Sequence, residues 1–209
     1  MKTALSALAL LALSAAPAAS AAPSRSAPDA LAVQAMHNFG ACIVDRTRPG
    51  AERVLAMDFR TPAYGKAMRA LAKGHDACAW NSRLAFSPLL LNGAMAERII
   101  ANDHAAARLP AALAARPEGD PSAPQARDMM EKVALCTVRR APESVAALLA
   151  SAPTEKEEEQ AFQALGQPLV GCVPAGKPVK LNRPGLRAIL SLAAYRLLYE
   201  TSPAGNGNA

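Results

Sequence analysis

Aromatic residues are scarce: phenylalanine, tyrosine and tryptophan together make up 4% of the 209 residues, while alanine and leucine dominate. A large sheet draws on β-branched and aromatic side chains, so this composition argues against one and for helices. Outside its first residues the chain also lacks an uncharged apolar run of bilayer length, about 20 residues. The apolar-rich stretch 185–199 is interrupted by Arg187 and Arg196. No Lys-rich block occurs and no basic stretch is interleaved with aromatics, so the formal charge of +6 does not point to nucleic acid. There is no G-x-S-x-G, and there are only three histidines, His37, His75 and His104. A nucleophile–base pair or a metal cage has few residues from which to be built, and no cofactor or metal is expected.

What is present begins with an export signal. Lys2 supplies a positive start, Ala4 to Ala15 forms a Leu/Ala-rich apolar segment too short to span a membrane, and Ala19-Ser20-Ala21 offers a small-x-small cleavage site. Residues 1–21 thus read as a signal peptide. Their removal leaves roughly 188 residues with a formal charge of +5, no transmembrane segment, and a periplasmic or secreted location.

Four cysteines carry the strongest pattern. Cys42 and Cys78 are 36 apart, and so are Cys136 and Cys172. Sliding the first segment by 94 positions overlays the pairs without a gap and makes nine of 37 positions identical, including the C-x-V-x-R signature that ends in Arg46 and Arg140. Such self-similarity implies one unit used twice. An even cysteine count in an exported chain implies disulfides. Four cysteines allow three pairings, and a duplicated unit favours the two within units, Cys42–Cys78 and Cys136–Cys172. Each would close a loop worth about 3–4 kcal/mol in the chain-entropy picture.

Each unit reads as four helices, giving an all-α fold of two pseudo-repeated units. In the first, Pro28-Asp29 caps a helix to about Arg46, Pro49 starts a short second, Thr61-Pro62 starts a third closed by Gly74, and Ser87-Pro88 opens the last. In the second, helices are expected from about Gln125, from Pro142, from the capping-box pattern Thr154-x-x-Glu157 to Gly166, and from Arg183-Pro184 to about Glu200. The chain divides into a tail 22–27, unit one 28–105, a Pro-rich linker 106–124, unit two 125–201 and a tail 202–209. The units are expected to pack on each other through the apolar faces of their last helices.

Few residues stand out for chemistry. Arg46 and Arg140 read either as cations at helix ends or as a repeated contact for an anionic partner. Arg98 and Arg196 are expected to lay their stems along a packed face with heads in water. The acidic run Glu155–Glu159 suits a solvated helix start. Glu97 and Glu200 form one conceivable carboxylate pair, and helix-end carboxylates are usually solvated. His75-Asp76 beside Cys78 is the best of the histidines for metal or acid–base work, but a bridged cysteine is no thiolate ligand. Trp80 reads as a cover for the first bridge.

The signal peptide, the Ala-rich composition, C-x-V-x-R, the second Cys 36 on and the ending "LNRPGLRAILSLAAYRLLY" together resemble uncharacterised secreted proteins of alphaproteobacterial type. The resemblance implies a compartment and no activity. The matching stretch of unit one, "FSPLLLNGAMAERII", lacks the Asn182-Arg183-Pro184 of unit two, which makes Asn182 and Arg183 candidate partner contacts beside Arg46 and Arg140. The expectation is a non-enzymatic envelope protein that binds another protein or an envelope surface through its helical faces. The alternative is a cationic module on anionic lipid or envelope surface, and the third an envelope hydrolase.

Overall fold

The computed structural model describes residues 29–79, 87–117, 119–177 and 181–200, and within them the secondary structure is helical, with no strand. The signal peptide, both tails and Trp80 lie outside the described residues. In unit one, α1 spans Ala30–Leu55, α2 Pro62–Gly74 and α3 Pro88–Asp103. The connecting α4 is Leu109–Ala114. In unit two, α5 spans Met129–Arg140, α6 Pro142–Ala150, α7 Lys156–Cys172 and α8 Arg183–Tyr199.

Helices begin where a side chain serves a first-turn amide that has no partner within the helix. Asp29 accepts from Leu31 N at 2.9 Å, Thr61 from Tyr64 N at 3.3 Å, Ser87 from Leu89 N at 3.2 Å and Asn182 from Gly185 N at 2.9 Å. The expected boundary after Arg46 is a kink inside α1: Thr47 leaves helical geometry at φ −149°, ψ 63°, just ahead of Pro49. Between α5 and α6, Ala141 takes nearly the same conformation, φ −138°, ψ 56°. The two breaks fall 94 positions apart, the offset that overlays the cysteines. The bridges lie one per unit. Cys42–Cys78 ties α1 to the short turn Asp76–Ala79 after α2, and Cys136–Cys172 ties α5 to the end of α7; both have Cα–Cα distances of 5.8 Å.

Three local readings need correction. Helix α5 starts at Met129 rather than near Gln125, because Asp128 accepts from Glu131 N at 2.8 Å and so sets the start. Thr154 does not cap α7 with Glu157: its backbone sits at φ 72° and its N–H donates to Glu158 Oε2 at 2.8 Å. Gly166 does not end α7, which runs through Pro168 to Cys172. Gly166 keeps a negative φ, and the carbonyl orphaned by Pro168 belongs to Ala164, on an exposed turn where water can serve it. The proline-rich connection also holds more than a linker: Leu109 and Leu113, one helical turn apart in α4, are buried against the rest.

One apolar cluster includes Phe39 and Ile43 of α1, Met95 and Ile99 of α3, Val138 of α5, Leu148 of α6 and Leu190 of α8, so the two units share a core. Helix α3 lies between α1 and α8, its most extensive neighbours. Small residues set both approaches. A Cβ added at Gly40 would lie 2.5 Å from Ala94 Cβ, and one added at Gly93 would lie 2.5 Å from the Cα and Cβ of Ala188. The last helices of the two units thus meet backbone to backbone, as their apolar faces suggested.

Replacing Gly93 by valine should force α3 and α8 apart and destabilise the fold by about 1–3 kcal/mol or more. Gly166, with nothing within 4 Å of an added Cβ, is the control. Alanine there should stabilise slightly, by up to about 1 kcal/mol. Denaturant midpoints check both, and equal effects at the two positions would contradict the close contact.

Candidate functional site

The interior of α8 holds two arginines nine residues apart, so they leave the helix on faces about 180° apart. Arg187 is 1% exposed and lies where the two units meet. All five of its N–H groups are used. Nε and Nη2 grip Glu97 of α3, at 2.9 Å to each carboxylate oxygen. Nη1 reaches Glu158 of α7 at 2.9 Å and Ser151 Oγ at 3.3 Å, and Nη2 donates to the Ser151 carbonyl at 2.8 Å. Glu97 also contacts His37 Nδ1 at 3.4 Å and Ser191 Oγ at 2.6 Å. Burial alone would raise the Glu97 carboxyl; its contacts with His37 and Arg187 outweigh that and hold it down at about 2.

The cluster contains a serine, a histidine and a glutamate, yet it is not a nucleophilic triad. Ser191 and His37 both face the same carboxylate, and Ser191 is fully buried. A hydroxyl directed at an arginine-bound carboxylate held at about 2, or at the Arg187 carbonyl 2.7 Å away, meets too weak a base to activate it. The arrangement is a polar joint between units.

The opposite face of α8 borders a cavity of about 360 Å³. Unit one supplies Leu55, Met57, Phe59, Tyr64, Leu89 and Asn92; unit two supplies Met130, Leu181, Ile189, Leu192 and the pair Glu131 and Arg196. The walls are apolar and one end is polar. Asn92 is 5% exposed, and its Nδ2 donates to the phenolic oxygen of Tyr64, Oη, at 2.6 Å. Burial pushes the Tyr64 phenol up, with the Asn92 contact opposing. Arg196 Nη1 lies 2.5 Å from Glu131 Oε1, and its Nε donates to Glu200 at 2.5 Å. Arg127 bridges Glu131 and Glu200 from the rim and covers the Phe59 ring at 5.8 Å.

Among the described residues, the two buried side-chain polar atoms without a hydrogen bond are Asn92 Oδ1 and Arg196 Nη1, and both residues line this cavity. Arg196 Nη1 is served by its ion pair with Glu131, which leaves Asn92 Oδ1 as the atom without a partner. Leaving such a group unserved costs about 1–3 kcal/mol. Asn92, which lines the cavity, is thus the polar side chain there with hydrogen-bonding capacity left over.

The candidate partner contacts from the sequence, Arg46, Arg140, Asn182 and Arg183, do not line this cavity. Arg140 is exposed and donates to the Gly171 carbonyl at 3.1 Å, near the end of α7. Arg46 is exposed in α1. Asn182 caps α8, and Arg183 forms an exposed ion pair with Glu159 at 3.1 Å. Arg98 pairs with Asp45 at the surface, whereas Arg196 is 7% exposed, so its head is buried and not in water. Glu97 is buried rather than solvated, and so is Glu158 within the acidic run. Glu97 and Glu200 serve different arginines. His75 Nδ1 contacts the Leu71 carbonyl at 2.8 Å, and among the described residues no three His, Cys, Asp or Glu side chains gather as a metal site. Asn92 was not singled out, although an asparagine within Leu89–Ala96, an otherwise apolar run, was the available signal.

Glu97 titrates lower folded than unfolded, so its share of stability, about 3 kcal/mol, is complete above its ordinary value near 4.5 and is lost as pH falls from there towards about 2. Glu97→Gln should therefore lower stability near pH 7 by about 3–5 kcal/mol, the effect of leaving Arg187 half-compensated. The deficit relative to wild type should shrink as the pH approaches 2. Paired denaturation curves across that range check this, and a pH-independent deficit would contradict it. No family model, no curated protein and no solved structure matches the chain.

Proposed function

We propose that the chain is an exported, non-enzymatic binding module that holds a small apolar-bodied molecule between its two helical units. The observation that carries this reading is an apolar cavity lined by a buried asparagine, Asn92, whose Oδ1 has no partner. A volume of about 360 Å³ lies within the roughly 300–1,000 Å³ usual for small-molecule sites, which are mostly apolar with a few polar groups fixing orientation. The cavity draws its walls from both units, which gives the pairing of units a purpose beyond stability.

Export is part of the proposal. The signal-like residues 1–21 support it, and two disulfides with no free cysteine suit an oxidising compartment. Among the described residues no helix is long and apolar enough to cross a membrane. The reading as a cationic module on anionic lipid draws less support. Arg98, Arg140, Arg183 and Arg196 each have a partner within the chain, and partnered cations have less charge to offer a headgroup. The hydrolase reading loses its conceivable carboxylate pair, for Glu97 and Glu200 serve different arginines.

An uncharged environment-sensitive fluorophore, N-phenylnaphthylamine, should bind the oxidised chain with a blue-shifted, enhanced emission. Leu192→Trp, which fills the cavity from α8, should weaken binding at least roughly tenfold, about 1.4 kcal/mol. Circular dichroism should remain helical. Absence of binding to the wild type, or equal binding by the filled variant, would sink the proposal.

A further inference from the structure

We infer that the molecule held in this cavity is an uncharged, single-chain amphiphile whose head, a hydroxyl or an amide, docks on Asn92 and Tyr64. The inference rests on the cavity being a binding site and adds what it selects.

The first ground is hydrogen-bond arithmetic. Asn92 offers one carbonyl and two N–H groups, and Tyr64 one O–H that both donates and accepts. With Nδ2 donating to Tyr64 Oη at 2.6 Å, Asn92 Oδ1 has no donor, and no acceptor is set against the phenol proton. With the carboxamide reversed, Tyr64 donates to Oδ1 and Nδ2 is the free group. In either arrangement the pair, both of whose residues line the cavity, keeps donor and acceptor capacity that the chain itself does not use. A hydroxyl or an amide complements both; a hydrocarbon complements neither.

The second ground is charge. The two arginines of the polar end, Arg127 and Arg196, are matched by Glu131 and Glu200. Asp128 is engaged at the start of α5. No uncompensated charge awaits an ionic head, and burying an ion without a counter-charge is far costlier than burying a hydrogen-bonded neutral group. The third ground is size: about 360 Å³ is near the lower limit for ligand sites, enough for one short chain and not for a two-chain lipid.

The position itself gives a further sign. In the frame that aligns the last helices of the two units, with an offset of 98, Asn92 corresponds to Leu190, which is fully buried. A leucine is therefore the apolar counterpart of this asparagine, and an asparagine kept for stability alone would be a poor choice beside it.

The test is displacement of N-phenylnaphthylamine from the full oxidised chain by octanamide, octanol, octanoate and octane near pH 7. Octanamide and octanol should compete at least roughly tenfold better than octanoate or octane, about 1.4 kcal/mol. Asn92→Leu should keep the fluorophore but lose that preference, with a melting temperature unchanged or raised, because an unsatisfied polar group has been removed. Tyr64→Phe, a milder change, should weaken octanamide several-fold and serves if the first variant does not fold. Octanoate or octane competing as well as octanamide, or both variants retaining the preference, would overturn the inference while leaving the cavity a binding site. Failure of the fluorophore to bind the wild type would remove both.

Discussion

The Arg187 guanidinium, buried and with all five N–H groups engaged, is the interaction on which the arrangement of the two units depends. It takes Glu97 from the last helix of unit one and Glu158 from the third helix of unit two, so one side chain of α8 reaches across both. Taking three charges out of water is costly, and replacing such a network by apolar side chains is often neutral or stabilising. What the network supplies is therefore register more than net stability. Only one placement of α3 on α8 lets Gly93 meet Ala188 while Glu97 meets Arg187. Any slide along the helices would strand a buried charge.

That register has a consequence on the other side of α8. With Arg187 facing the joint, Arg196 must face the opposite way, where Glu131 and Glu200 neutralise it. Ile189 and Leu192 lie between the two arginines along the helix and turn towards Asn92 and Leu89 of α3 across the cavity. The polar end and the apolar walls are thus products of the same helix placement. The disulfides act at a distance from this: one ties α1 to the turn after α2, the other ties α5 to α7, and neither crosses the joint.

Much of the local structure was legible in the sequence because it depends on near neighbours. Asp29, Thr61, Ser87 and Asn182 each serve an amide two or three residues on, and a polar side chain before a helix shows that directly. Equal cysteine spacing similarly led to the bridge within each unit. The boundaries differ where Glu158 rather than Glu157 takes up the Thr154 region, and where α7 runs on past Gly166 to Cys172. The site was less visible. Glu97 meets Arg187 across 90 residues and Asn92 meets Tyr64 across 28, and neither partner carries a local mark of the other. The repeat even pointed away from the cavity, because it drew attention to what the units share, such as Arg46 and Arg140, while Asn92 has no polar counterpart in unit two.

The most direct test of the central claim is a nuclear magnetic resonance map of octanamide on the nitrogen-labelled, oxidised chain. The account gives shifts of the Asn92 side-chain amide and contacts between the ligand chain and the methyl groups of Leu89, Ile189 and Leu192. Contacts gathered instead on the exposed apolar surface around Leu169, Val170 and Val173, with the Asn92 amide unmoved, would contradict it.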